Sequence, residues 1–391
     1  MERGQGGPAD PTRRVLRVKL DYTSQESCAL SRGRMTEAVV NRGYPQEKGL
    51  NMEPSATLLE KLPAQDPTSA EPTVKALIRG GPAVITQLID QVGEQFGDPG
   101  GVRATYALHG ATNYASRPGA DAERKMMAET LAKALGARHS VDLKSFLCQQ
   151  LQLCGGGEQV SALAGLLHDE ALCEPATQAL AAIGGEAAGA ALRAALPKVQ
   201  GKPRVTIINA LGRLCDAAAA DEIRKSVAEV DPDLRLAAWF ALGSIGDAAS
   251  AAALLRAAGG KPSFERTQAT DAALRLARRL GERERKAEAE SILRQLLAQR
   301  KAPEEVHDRL AVLECLTKVL REKAMPDLMA AIASEDLKYR TAAARIALGL
   351  GRAIQKAQPD EAAKLLKKIL EVTKEEAVRQ QAEALLRRQG K

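Results

Sequence analysis

Four histidines stand in the chain, His109, His139, His168 and His307, and they are the first residues to test for proton transfer or metal binding. His109 lies in VRATYALHGATNYASRPG (102–119), with Tyr106, Asn113, Tyr114 and arginines near both ends. That mixture suits a polar pocket in which His109 moves a proton and the tyrosines donate hydrogen bonds. On a helix, Arg103, Tyr106, Gly110 and Tyr114 share one face, with His109 and Asn113 one turn apart beside it. No Ser, Cys or carboxylate shares the spacing that would complete a catalytic set. The competing reading is structural: a helix of the first hairpin, with tyrosines covering the exposed end of a stack. The other histidines are scattered, with no HExxH and no paired-His pattern, so no metal is expected.

The cysteines are Cys28, Cys148, Cys154, Cys173, Cys215 and Cys315, and none forms a CxxC pair. All but Cys28 fall in apolar helical patterns, where a free thiol behaves as a small buried hydrophobe. Reduced thiols of this kind fit a cytoplasmic setting. GGPAVI and CGGGEQV contain glycines, but neither matches a Walker loop or a dinucleotide fingerprint. They read as hairpin turns, and no cofactor is expected.

Two further places have the residue types for binding. Trp239, in AWF, is the one tryptophan of the chain and has the character of a binding anchor, although core filling is the commoner role. RLARRLGERERK (275–286) is the densest basic run, with Arg275, Arg278 and Arg279 on one helical side. A stripe of this kind meets phosphates, but no aromatic residue interleaves for base stacking and Glu282 and Glu284 dilute it. A solvated face or a contact to an acidic protein is the favoured reading.

These residues need elements to hold them. Hydrophobic residues make up 45% of the 391 and aromatic ones only 3%, so Ala and Leu fill the core, as closely spaced helices require. Charge is uneven. Residues 1–50 carry nine basic and six acidic residues (net +3), 51–260 carry 19 and 23 (−4), and 261–391 carry 28 and 20 (+8). No run is long and apolar enough for a membrane span. No charged-then-apolar leader follows Met1 or Met52, either of which is compatible with a translation start.

Residues 1–70 are rich in Gly, Pro and charge and lack helical periodicity, so they are expected to be disordered or poorly ordered. Within them RRVLRVKLDY alternates like a short strand without a partner. A helical repeat array is expected over 71–391, with longer hairpins after 261. Its sign is internal similarity among ALAAIGGEAAGAALRAAL (179–196), ALGRLCDAAAADEIRKSV (210–227) and ALGSIGDAASAAALLRAA (241–258). Ile183, Leu214 and Ile245 recur at intervals of 31. One hairpin cannot bury its own apolar faces, but stacked hairpins share a continuous core. The predicted fold is therefore all-α, an α-solenoid of stacked antiparallel helical hairpins. The polar amphipathic KEEAVRQQAEALLRRQGK suits a capping helix at the end of the array.

DPDLRLAAWFALGSIGDAASAAALLRAA (231–258) resembles a HEAT repeat, and the resemblance extends over roughly 100–390, similar in style to bacterial multi-repeat HEAT proteins, with an armadillo-like superhelix. It implies a ladder of Asp and Arg between neighbouring loops, with Arg235 one rung and Arg204 and Arg340 in similar places. Glu174 and Pro175 depart from that pattern. HEAT arrays are mostly scaffolds, so the resemblance implies a non-enzymatic protein that binds a partner protein on its concave face. Arg103, Tyr106, His109, Tyr114, Trp239, Arg275, Arg278 and Arg279 are the candidate surface. The alternative is nucleic-acid binding through the basic C-terminal third, since some HEAT-like proteins bind DNA and a few are base glycosylases. Lyase or hydroxylase activity ranks last, for want of paired histidines or a conjugation groove.

Overall fold

The computed structural model describes residues 55–62, 67–94 and 99–389, all within one compact unit, Lys48–Lys391. The RRVLRVKLDY segment, Cys28 and both candidate starts lie outside the described residues. Every described regular element is helical. The helices are α1 (Ser55–Glu60), α2 (Pro67–Arg79), α3 (Gly81–Glu94), α4 (Pro99–Ala115), α5 (Asp121–Leu135), α6 (Val141–Cys154), α7 (Val160–Ala164), α8 (Cys173–Ile183), α9 (Gly185–Ala195) and α10 (Gly201–Arg213). They continue as α11 (Ala220–Arg224), α12 (Pro232–Ile245), α13 (Ala251–Ala258), α14 (Phe264–Glu282), α15 (Lys286–Gln299), α16 (Val306–Leu320), α17 (Met325–Ile332), α18 (Leu337–Ile354), α19 (Pro359–Val372) and α20 (Glu376–Gln389). None is long and apolar enough to cross a membrane.

The helices sort into two layers. Each even-numbered helix from α2 to α20 touches the next even-numbered one. On the other side α3 packs on α5, α5 on α7, α7 on α9, α13 on α15 and α17 on α19. This is an α-solenoid. Small residues set the spacing of the even layer. A Cβ on Gly212 would lie 2.6 Å from the Cα of Ala241, and one on Gly243 would lie 2.6 Å from the carbonyl of Ala272, so α10, α12 and α14 meet almost backbone to backbone. Leucines fill the space between layers. On α6, Leu143, Leu147 and Leu151 are fully buried, each worth about 2 kcal/mol of apolar burial.

From α8 onward, five hairpins turn through positive φ after an even helix, at Gly184 (67°, followed by Gly185 at 75°), Cys215 (54°), Gly246 (78°), Glu284 (59°) and Arg321 (53°). The first three are spaced by 31 residues, the period seen in the sequence. Asp231 caps α12 by accepting the Asp233 amide at 2.9 Å, and Asp336 caps α18 by accepting those of Lys338 and Tyr339.

The expected boundary at residue 71 falls inside α2, and α1 starts at residue 55. Both helices were hidden because α1 spans only 6 residues and α2 carries Pro72 inside it. They are tied down by burial of Leu58, Leu62, Val74 and Leu77. The helix of 102–119 is accordingly not the first of the stack, because α2 and α3 precede it and both touch it. After residue 261, α14 and α18 run to 19 and 18 residues.

Arginines near the start of even helices tie each hairpin to its neighbours. Arg235 donates to the carbonyls of Glu229 and Val230 at 2.5 and 2.7 Å and reaches Glu265 at 2.7 Å. Arg204 bonds the Leu196 carbonyl at 2.9 Å and Glu222 at 3.1 Å, and Arg340 bonds the Ser334 carbonyl at 3.0 Å. Arg266 follows the same pattern with the Ala258 carbonyl and Glu305. The acid of Arg235's rung is Glu265, one hairpin on, and not Asp231, whose oxygen is used as a cap. A second ladder was not anticipated. Arg193 pairs with Asp216 and Arg224 with Asp247, both across 23 residues and in phase at 31.

Candidate interaction surface

The N-terminal cluster divides between two neighbours. His109 Nδ1 lies 3.0 Å from Gln150 Oε1 of α6, and Asn113 Nδ2 lies 2.9 Å from His109 Nε2. Gln150 is buried and its Oε1 accepts only, so Nδ1 donates and Nε2 accepts from the Asn113 amide. Both ring nitrogens are thereby used, each by a side-chain amide. Tyr114 is half-buried on the other side, where the Arg117 guanidinium lies 3.7 Å from its ring centroid and Lys75 of α2 lies 5.8 Å away. Tyr114 thus packs within the stack and does not seal its end. Arg103, Tyr106 and His109 are exposed. His139, His168 and His307 lie on separate hairpins, and among the described residues no group of His, Cys, Asp and Glu could hold a metal ion.

Trp239 is 5% exposed, and its indole N–H donates to the Val227 carbonyl at 3.2 Å. It is core, so it leaves the candidate surface: the ring is buried and its one polar atom is satisfied there. Its neighbour Phe240 is the half-exposed ring, with Arg275 at 5.0 Å from the centroid. Phe240 sits in a register that composition alone did not show. Gln178, Asn209, Phe240 and Asp271 recur at 31 residues on α8, α10, α12 and α14, and Arg213, Ser244 and Arg275 recur beside them. Glu174, Gln178, Thr206, Asn209, Arg213 and Phe240 line a shallow depression of about 260 Å³ across this row. Arg213 donates to Gln178 Oε1 at 3.1 Å.

The basic run 275–286 is largely neutralised by acids in and beside it. Arg275 pairs with Asp271 at 2.6 Å, Arg279 with Glu282 at 2.8 Å, Arg285 with Glu288 at 2.6 Å and Lys286 with Glu284 at 2.9 Å. Arg278 is exposed and pairs with no acid among the described residues. The buried thiols are poor nucleophiles: burial pushes Cys148 and Cys154 up to about 12 and Cys315 up to about 11.

A larger opening, of about 820 Å³, runs between α16 and α18. Leu310, Ile346 and Leu350 form its apolar lining, and Glu314, Lys318, Arg321 and Arg345 stand around it. Lys318 pairs with Glu314 at 2.7 Å, and Arg345 pairs with Glu375 at 2.8 Å. No sequence pattern announced this groove, because its width depends on how helices of two successive hairpins meet.

Residues 198–275 match the family model for HEAT repeats. That stretch covers α10 to α13 and part of α14, and the hairpins on either side continue the same layered pairing. Residues 198–275 of the α-solenoid are thus HEAT repeats by sequence. No curated protein matches the sequence. Solved structures similar to it include Kap121p (12% identity, 85% of this chain and 45% of that chain, TM-score 0.42). Others are a chain from the structure of Kap95p with RanGDP (10%, 85% and 50%, 0.49) and one from work on the cadherin and beta-catenin interaction (15%, 86% and 86%, 0.36). The chain spans about 45% of the length of Kap121p. These are likenesses of helix stacking.

Proposed function

We propose that the chain is a non-enzymatic scaffold that holds a partner protein on the exposed side of its even-numbered helices, the inner, concave layer of the array. The supporting observation is the row of Gln178, Asn209, Phe240 and Asp271, with Arg213, Ser244 and Arg275 beside it. It presents amides, one ring and both charges at a regular pitch, the mixed chemistry of protein recognition. Groups suited to catalysis are engaged elsewhere, His109 in amide hydrogen bonds and the thiols of Cys148, Cys154, Cys173 and Cys315 in the core. The nucleic-acid alternative loses support because Arg275 and Arg279 already face carboxylates and no ring row accompanies them.

A photo-crosslinking residue at Asn209 is expected to capture a reproducible protein from native lysate. The same group at Ala190, exposed on α9 in the opposite layer, is expected to capture nothing reproducible. Equal capture from both positions, or capture from Ala190 alone, would sink the assignment.

A further inference from the structure

We propose that the groove between α16 and α18 docks a partner-protein segment bearing aliphatic side chains flanked by carboxylates. The inference rests on the protein-binding reading and specifies the chemistry of the partner.

Gly349, in the wall of the groove, carries it. Glycine inside a helix weakens the helix, so each one needs a reason. Most here have an internal one. A Cβ at Gly93, Gly189, Gly212, Gly243 or Gly281 would come within 2.8 Å of a neighbouring atom, and at Gly110 or Gly351 within 3.3 Å. At Gly349 an added Cβ meets nothing within 4 Å. No neighbour requires the missing side chain. What it leaves open is the groove, and a helix without a side chain there lets a ligand approach α18 closely.

The lining selects the ligand. Leu310, Ile346 and Leu350 offer aliphatic surface, and no aromatic ring lines the groove for a nucleobase to stack on. The charge around it is mainly positive. Lys318 and Arg345 hold acids of this chain, whereas Arg321 is exposed and pairs with no acid among the described residues. Arg321 stands where a carboxylate from outside would meet it. Residues 1–50, with nine basic and six acidic residues, have the wrong sign to supply it.

The probes are short fluorescein-labelled amphipathic peptides, one patterned with Leu and Glu, one with Lys for Glu and one with Ala for Leu, together with a labelled DNA duplex. Fluorescence anisotropy is expected to show the Leu/Glu peptide binding at least about tenfold more tightly than the other peptides or the duplex. Gly349→Leu, which fills the groove, and Arg321→Glu are each expected to weaken that binding about tenfold or more. Gly349→Leu should melt no lower than the parent, because its side chain enters open space, so its loss of binding is not a loss of fold. The proposal is overturned by failure of the Leu/Glu peptide to bind, by equal binding of the Lys peptide or the duplex, or by unchanged binding to Gly349→Leu. Self-association abolished by Gly349→Leu would also overturn it, by placing a second copy of this chain in the groove. If any of these holds while the Asn209 crosslink persists, the groove assignment falls and the scaffold reading stands; loss of the crosslink alone has the converse meaning.

Discussion

Cys215 closes its hairpin at a φ of 54°, a left-handed conformation that costs a residue other than glycine about 1–2 kcal/mol. Gly184 and Gly246 hold the same place 31 residues to either side. Cys215→Gly is therefore expected to stabilise the chain by about 1 kcal/mol, seen as a higher urea midpoint; a lower midpoint would mean that the thiol's contacts outweigh the strain. The deeper thiols give a pH dependence of known sign. Below the ordinary thiol value of 9.0, Cys148, Cys154 and Cys315 are protonated in both folded and unfolded chains and add no pH dependence. Above it the unfolded chain ionises first, so stability falls as pH rises toward about 12. In the folded protein at pH 8, iodoacetamide should modify half-exposed Cys215 well before those three, as mapped by mass spectrometry. Early modification of Cys148 would contradict the burial. Apolar spacing made the buried thiols legible in the sequence. The turn at Cys215 was not legible, because no turn rule assigns a cysteine to a left-handed position.

At the scale of elements, the even layer depends on glycine where two helices cross. Gly243→Ala would place a Cβ 2.6 Å from the Ala272 carbonyl and push α12 away from α14. Overpacking of that kind costs about 1–3 kcal/mol, only partly offset by alanine's better helix propensity. The melting temperature should fall, and an unchanged one would show that the helices do not approach this closely. The hairpins themselves were readable, because Ile183, Leu214 and Ile245 repeat the same core position. The arginine ladder was readable in part, at Arg204, Arg235 and Arg340, from the place each holds near a helix start. The rungs of Arg193 and Arg224 share the 31-residue phase, but each acid stands 23 residues on, a separation that no helical spacing rule links. Core filling was the commoner reading for Trp239, but which groups surround its ring, like the α16–α18 groove, had no sequence signal. Both depend on how side-chain volumes of successive hairpins fit together.

Across the molecule, the described apolar core falls into three clusters, from Leu58 to Ile245, from Trp239 to Ala324, and from Val306 to Leu385. Hairpins that contact mainly their neighbours need not unfold together. Trp239 belongs to the middle cluster, so its fluorescence reports that part alone. Its urea transition is expected to separate from the far-ultraviolet dichroism transition, which averages every helix; superimposed curves would indicate one cooperative unit. The shared phase of turns and rungs also has a bearing on how such a chain changes length. Excising 206–236 joins Val205 to Ala237, sets Arg193 and Asp247 at the native rung separation of 23 residues, and puts Gly246 where Cys215 turned. The shortened protein should keep its helicity per residue, and a collapse of that signal would refute the idea. In this middle stretch the hairpin is a removable link, so the reach of the array is adjustable by whole units without rewriting the joints that remain.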